Sequence, residues 1–250
     1  MTLFGKKIPI VFSLLIWFIV WEAIGQAKFS SIIPPFSGVI QAAITILPTG
    51  KFHTAAMISL RSFGIGMALA ILIGIPLGIL MARVQGVSRI LGMWVNIFVS
   101  APISALVPLL MAVVGIGETT VVVTVFLFAV FVIILDTQVG VVHADRSLVD
   151  MARAFGAKRH QIYTKVLILS ALPEMLAGLR LGAIRGVKGV VIGQLLVAII
   201  GVGELFELYS QHFLIEEFWA LVVTVFLFAF AVSEAIAALE RRVEYYASTR

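Results

Sequence analysis

An all-α protein that crosses a membrane about six times, with one long polar loop on the inner side, is the architecture this sequence predicts. Three observations carry that expectation. Of the 250 residues, 61% are hydrophobic and only 12% are charged, about half the charged share that covers a soluble domain. The apolar residues come in long charge-free runs, at 62–82, 90–114, 119–135, 189–203 and 218–233, which suit lipid rather than a soluble core. Asp150, Arg153, Lys158, Arg159 and Lys165, by contrast, gather in one polar stretch, VDMARAFGAKRHQIYTKV at 149–166.

A helix needs about 20 apolar residues to cross the hydrocarbon layer. That criterion places spans near 9–25, 56–82, 89–114, 119–142, 174–200 and 217–240. The first, with Lys6 and Lys7 ahead of an apolar run and GQAK behind it, has the outline of a signal peptide; an uncleaved first span is expected. Residues 30–50 are bounded by Pro34, Pro35 and Pro48 and are too short to span, so an interfacial helix on the outer face is expected. Residues 1–54 then form an N-terminal span plus interfacial segment, and 55–245 the main transmembrane domain. The second span carries Gly64, Gly66, Gly74, Gly78 and Pro76. Small residues let helix backbones approach in lipid, so packing is favoured over a gating hinge. Trp17, Trp21, Trp94 and Trp219 fall near span ends, as interfacial aromatics do. VVTVFLFA recurs at 122–129 and 222–229, too short a match to establish a repeat.

The net charge of +5 has a topological reading. Lys6, Lys7, Arg83, Arg89, the 145–165 segment, Arg241, Arg242 and Arg250 fall on one side of six spans, against chiefly Lys28, Lys51 and Arg61 on the other. Both termini and the polar loop are therefore cytoplasmic, and nucleic-acid binding is not expected. There is no cysteine, which excludes disulfides and thiolate sites. His53, His143, His160 and His212 lie at loops or span ends, with no H-E-x-x-H or G-x-S-x-G pattern around them. Nor is there a G-x-x-x-x-G-K-[ST] phosphate loop. No enzyme activity and no bound cofactor are expected; any ATP and magnesium belong on another chain.

In the polar loop, Leu148, Met151, Ala152 and Phe155 follow helical spacing, Gly156 offers a turn, and Ile162, Val166 and Leu169 resume the period. Such a helix–turn–helix suits the membrane surface or a groove in a partner protein. The run LVDMARAFGAKRHQIYTKVLILSALP, 148–173, resembles the EAA loop of bacterial ABC-importer permeases. Asp150, in place of the usual glutamate, Ala152, Gly156 and Leu172–Pro173 match its pattern. SLRSFGIGMALAILIGIPLGILMA at 59–82, APISALVPLL at 101–110, VGIGE at 114–118 and LPEMLAGLRLG at 172–182 are similar to type I permeases of the nitrate, sulfonate, taurine and bicarbonate group. The resemblance covers about residues 55–245. It implies that Asp150, Ala152, Arg153, Gly156, Ala157 and Arg159 belong to coupling helices docked on ATP-binding cassette subunits. It also implies a solute-binding protein outside, a second permease chain, most simply an identical copy, and a bacterial inner-membrane location.

The segment GAIRGVKGVVIGQLL, 182–196, departs from that family's pattern, which has fewer basic residues and often a glutamate near Gln194. Arg185 and Lys188 are three apart and share a helical face, and counting from Pro173 puts Lys188 about 20 Å along the axis. Intramembrane charges usually face a bundle interior or a water-filled path. Asp136, Arg185, Lys188 and Gln194 are accordingly expected to line a translocation path for an anionic solute. The competing reading pairs Arg185 with Asp136 and lets Lys188 snorkel. An ATP-independent secondary transporter or channel is the alternative function, though Asp136, the acid nearest a midplane ion site, falls close to the end of its span.

Overall fold

A computed structural model describes residues 2–3, 6–7, 10–28, 31–144, 146–197 and 199–248. Apart from the short antiparallel pair β1 (Thr2–Leu3) and β2 (Lys6–Lys7), the described elements are helical. The core is a layer of three long helices. In its middle stands α6 (Glu118–Val142), flanked by α3 (Gly50–Arg83) and α9 (Ile168–Val197).

Glycines explain why these three pack so closely. A side chain at Gly66, Gly74 or Gly78 of α3 would run into Val125, Ile133 or Thr137 of α6. From the other side, side chains at Gly178, Gly182 and Gly189 of α9 would strike Asp136, Ile133 and Val125 or Phe128. With no hydrophobic drive between helices in lipid, close van der Waals approach of this kind supplies the cohesion. Val121, Val125, Ala129 and Ile133 of α6 are consequently fully buried. The packing expected of the α3 glycines holds for these three positions, whereas Gly64 faces open space.

The expected span at 89–114 is not one helix. It divides into α4 (Gln85–Ser100), a 3-10 turn (Ile103–Leu106) and α5 (Val107–Val114), bent by 93°. The reason lies in APIS: Pro102 lacks an amide hydrogen and pushes Ala101 into an extended conformation (φ −73°, ψ 147°). Pro108 then sits in the first turn of α5, where its fixed φ is at home. An uninterrupted apolar run had hidden this break.

At the N-terminal end, α1 (Ile10–Gln26) is followed by α2 (Phe36–Ile46). Glu22 accepts hydrogen bonds from the Ser37 amide (2.9 Å) and hydroxyl (2.8 Å), an anion at the positive end of α2. Trp21 donates to the Pro34 carbonyl at 3.1 Å and Trp219 to Ile32 at 2.9 Å, so the indoles tie the α1–α2 connection to the last span. The segment expected to lie at an interface has its own buried face. Val39, Ala42 and Ile46 pack with Leu205, Phe206, Ala220 and Leu221, which belong to α10 (Gly201–Gln211) and α11 (Ile215–Ser248).

Among the described residues, four helical stretches are long and apolar enough to span: Gly50–Arg83, Glu118–Val142, Arg159–Val197 and Ile215–Arg242. Counted as one broken span, the bent α4–α5 pair is a fifth. Of the six expected spans, the remaining one is α1, whose 17 residues extend about 25 Å. The helix expected to start near Pro173 begins earlier, because that proline is accommodated inside α9.

Candidate coupling loop and translocation face

The polar loop folds as α7 (Arg146–Ala154), α8 (Arg159–Ile162) and a π-helical turn (Tyr163–Leu167) that runs into α9. α7 ends by a Schellman arrangement: the Gly156 amide donates to Arg153 O (2.9 Å) and the Ala157 amide to Ala152 O (3.0 Å). This requires a left-handed residue after the helix, and Gly156 supplies it with φ +75°. Ala152, Arg153, Gly156 and Ala157, four of the residues expected to couple, are thus the members of one backbone motif. Asp150 pairs with Arg153 at 3.2 Å on the exposed side. Beyond the turn, Gln161 accepts from the Lys158 amide at 2.8 Å, one half of a capping box, and Arg159 opens α8.

The apolar face of this loop is left open. Leu148 is 38%, Met151 53% and Phe155 85% exposed. Exposed apolar side chains grouped in this way form a patch on an otherwise polar loop.

The four residues expected in a path do not converge. Asp136 of α6 lies against Gly178 of α9, within reach of the charges on Glu174 and Arg185. Arg185 makes no ion pair within 4 Å among the described residues, so the expected alternative of a direct pair with Asp136 reduces to a longer-range attraction. Arg185 is partly buried and Lys188 exposed. Gln194 is nine positions beyond Arg185, half a turn out of phase at about 100° per residue. It is completely buried, and its Oε1 accepts from Ser59 Oγ (2.8 Å) and the Val202 amide (3.1 Å).

Sequence reasoning passed over several partners. Arg180 of α9 bonds Ser233 Oγ (3.1 Å) and pairs with Glu234 (4.0 Å) and Glu240 (3.7 Å) of α11. Arg61 of α3 meets Glu118, the first residue of α6, at 3.5 Å. The guanidinium of Arg83 stacks over the Tyr163 ring. A charge inside an apolar run was the available signal for Arg180; its partners lie some fifty residues away and leave no local pattern.

Residues 74–245 match the family described as binding-protein-dependent transport system inner membrane component. The chain belongs to that family. A probable ABC transporter permease of Brucella melitensis is 27% identical over 211 residues, covering 84% of this chain and 86% of the relative. The taurine transport system permease protein TauC of Escherichia coli is 27% identical over 230 residues, covering 89% and 84% respectively. In fold, a chain of the MetNI methionine ABC transporter in an inward-facing conformation superposes with a TM-score of 0.66 at 22% identity, covering 76% of this chain and 94% of that one. The permease is thus a multi-pass subunit of an ABC transporter, not itself an ATPase, and works with ATP-binding and binding-protein partners. ATP-independent transport, the alternative function, falls away.

Proposed function

We propose that this permease forms, with a second identical copy, the inner-membrane pathway of an importer for a small anionic solute such as a sulfonate, carboxylate or nitrate. An extracytoplasmic solute-binding protein delivers the solute, and ATP-binding subunits carrying ATP and magnesium drive the cycle by gripping the loop from Arg146 to Leu167. The loop and both termini face the cytoplasm, in keeping with the clustering of Lys and Arg. Asp150, Ala152, Arg153, Gly156, Ala157 and Arg159 form the gripped surface.

The observation that carries the solute class is the exposure of Lys188 on α9. It lies nine residues before the end of that helix at Val197, about 14 Å inside. A cation at such depth is expensive against hydrocarbon. A face shared with the second copy, enclosing a watered path, gives it a place. With Arg185 one turn away, that path favours anions, and the similarity to a taurine permease accords with a sulfonate-sized solute.

The test is ATP-driven uptake of nitrate and taurine by proteoliposomes holding the permease, its ATP-binding subunits and its binding protein. Replacing Arg185 and Lys188 together by Gln is expected to lower uptake of the anion at least about tenfold, one lost charge contact being worth over 1.4 kcal/mol. Unchanged uptake would remove these residues from the path. A mass in mild detergent corresponding to one permease per complex would remove the homodimer.

A further inference from the structure

We infer that Arg83 and Tyr163 form a clasp that makes α3 follow the coupling loop, so that movement of the loop enters the bundle through two helices rather than one. The inference rests on the coupling role proposed for that loop.

α7 packs chiefly on α8 and the π-helical turn, and from Arg159 the chain is helical without interruption to Val197. A displacement of the loop therefore has a backbone route into α9. It has no such route into α3, which ends at Arg83 and is followed by extended Val84 and then α4. The side chains supply what the backbone does not. The guanidinium carbon of Arg83 lies 3.4 Å from the centroid of the Tyr163 ring, well inside the roughly 6 Å over which a cation is attracted to an aromatic face.

Tyr163 is placed for this by the local helix geometry. It opens the π-helical turn, in which the Ile168 amide donates to the Tyr163 carbonyl. That wider turn holds one more residue than an α turn, and so rotates the residues before it relative to α9; such insertions recur at functional positions. α3 is in turn a lever with a far end. Its 34 residues extend about 50 Å, Gly66, Gly74 and Gly78 seat it on α6, and Ser59 contacts Gln194 and the start of α10. Arg83 and Tyr163 are positioning residues, acting on the helix rather than on solute.

The test uses spin labels at Leu80, near the end of α3 and 43% exposed, and at exposed Lys165. Pulsed dipolar distances are read in the complex with its ATP-binding subunits, without nucleotide and trapped with ATP and vanadate. With the clasp intact, the distance between the labels stays the same in both states. Arg83→Gln or Tyr163→Leu should shift or broaden it by about 5 Å, one helical turn, in the trapped state. Tyr163→Phe keeps the ring face and should behave as wild type, and the double variant should be no worse than either single one. A wild-type distance that changes between states, or single variants matching wild type, overturns the clasp. Should the ATP-binding subunits fail to co-purify with wild type, the coupling reading fails instead. The same labels in the permease alone then test the contact, Arg83→Gln broadening the distribution if the contact exists and leaving it unchanged if it does not.

Discussion

Gln194 Oε1 lies 2.8 Å from the Ser59 hydroxyl, and this bond fastens the N-terminal part of α3 to α9. The Val202 amide reaches both partners, at 3.1 Å each, so the first turn of α10 is held at the same point. Nε2 of Gln194 is buried without a hydrogen-bond partner among the described residues. The site therefore uses the amide as an acceptor.

Gln194→Leu removes the acceptor shared by the Ser59 hydroxyl and the Val202 amide, which keep Ala55 O and Ser59 Oγ as partners, and should lose about 0.5–1.5 kcal/mol. Gln194→Glu buries a carboxylate whose second oxygen meets no donor and should lose more. Thermal unfolding of the purified protein in detergent checks the order; Leu unfolding at the same temperature as wild type would show that the bonds contribute nothing.

Gly201 should tolerate no side chain. Its φ of +63° is left-handed, which L-residues adopt at a cost of about 1–2 kcal/mol, and a Cβ there would collide with the Gln194 amide. Gly201→Ala is expected to destabilise and to expose the α9–α10 turn to protease. Gly86→Ala is the control. It is helical with nothing nearby, and should be neutral or stabilising by up to about 1 kcal/mol.

Gly178 faces Asp136 across the α6–α9 seam, where an added Cβ would come within 2.5 Å of the Asp136 Cβ. Gly178→Leu should force the helices apart at about 1–3 kcal/mol. Gly64→Leu, in open space on α3, should not. Detergent-solubilised yield and melting temperature separate the two, and equal losses would argue against the glycine seam.

Arg180 joins α9 to Ser233, Glu234 and Glu240, and Arg241 pairs with Glu234 at 3.6 Å. The Arg180 side chain is 38% exposed, so screening keeps the stability loss of Arg180→Gln to about 1 kcal/mol or less. The change should appear locally. Hydrogen exchange at the end of α11 is expected to quicken while α6 amides remain protected.

Gly156→Trp destroys the left-handed residue that lets α7 stop. Co-purification with the ATP-binding subunits should be lost while the spans still fold. Retention of a stoichiometric partner would place the docking surface elsewhere.

Local chemistry was legible. The helix–turn–helix at 146–167, its hinge at Gly156 and the long spans follow from apolar run length and period, which are properties of neighbouring residues. The α4–α5 break was legible in principle, since Pro102 and Pro108 mark it, but hydropathy alone averages across it. The proposed path was less so. Asp136, Arg185, Lys188 and Gln194 are all polar residues in apolar helices, yet the fold buries Gln194 as a fastening while leaving Lys188 exposed.

By itself, the sequence determined that this chain lives in a membrane, about how often it crosses, and where its long polar loop falls, because each depends on composition over tens of residues. The tertiary structure alone decided which glycines face α6, that Arg180 meets α11, that Gln194 finds Ser59 and that Arg83 reaches Tyr163. Those outcomes depend on how each helix is rotated about its axis and which helix lies beside it. Rotation and neighbourhood are set by contacts between residues far apart in the chain.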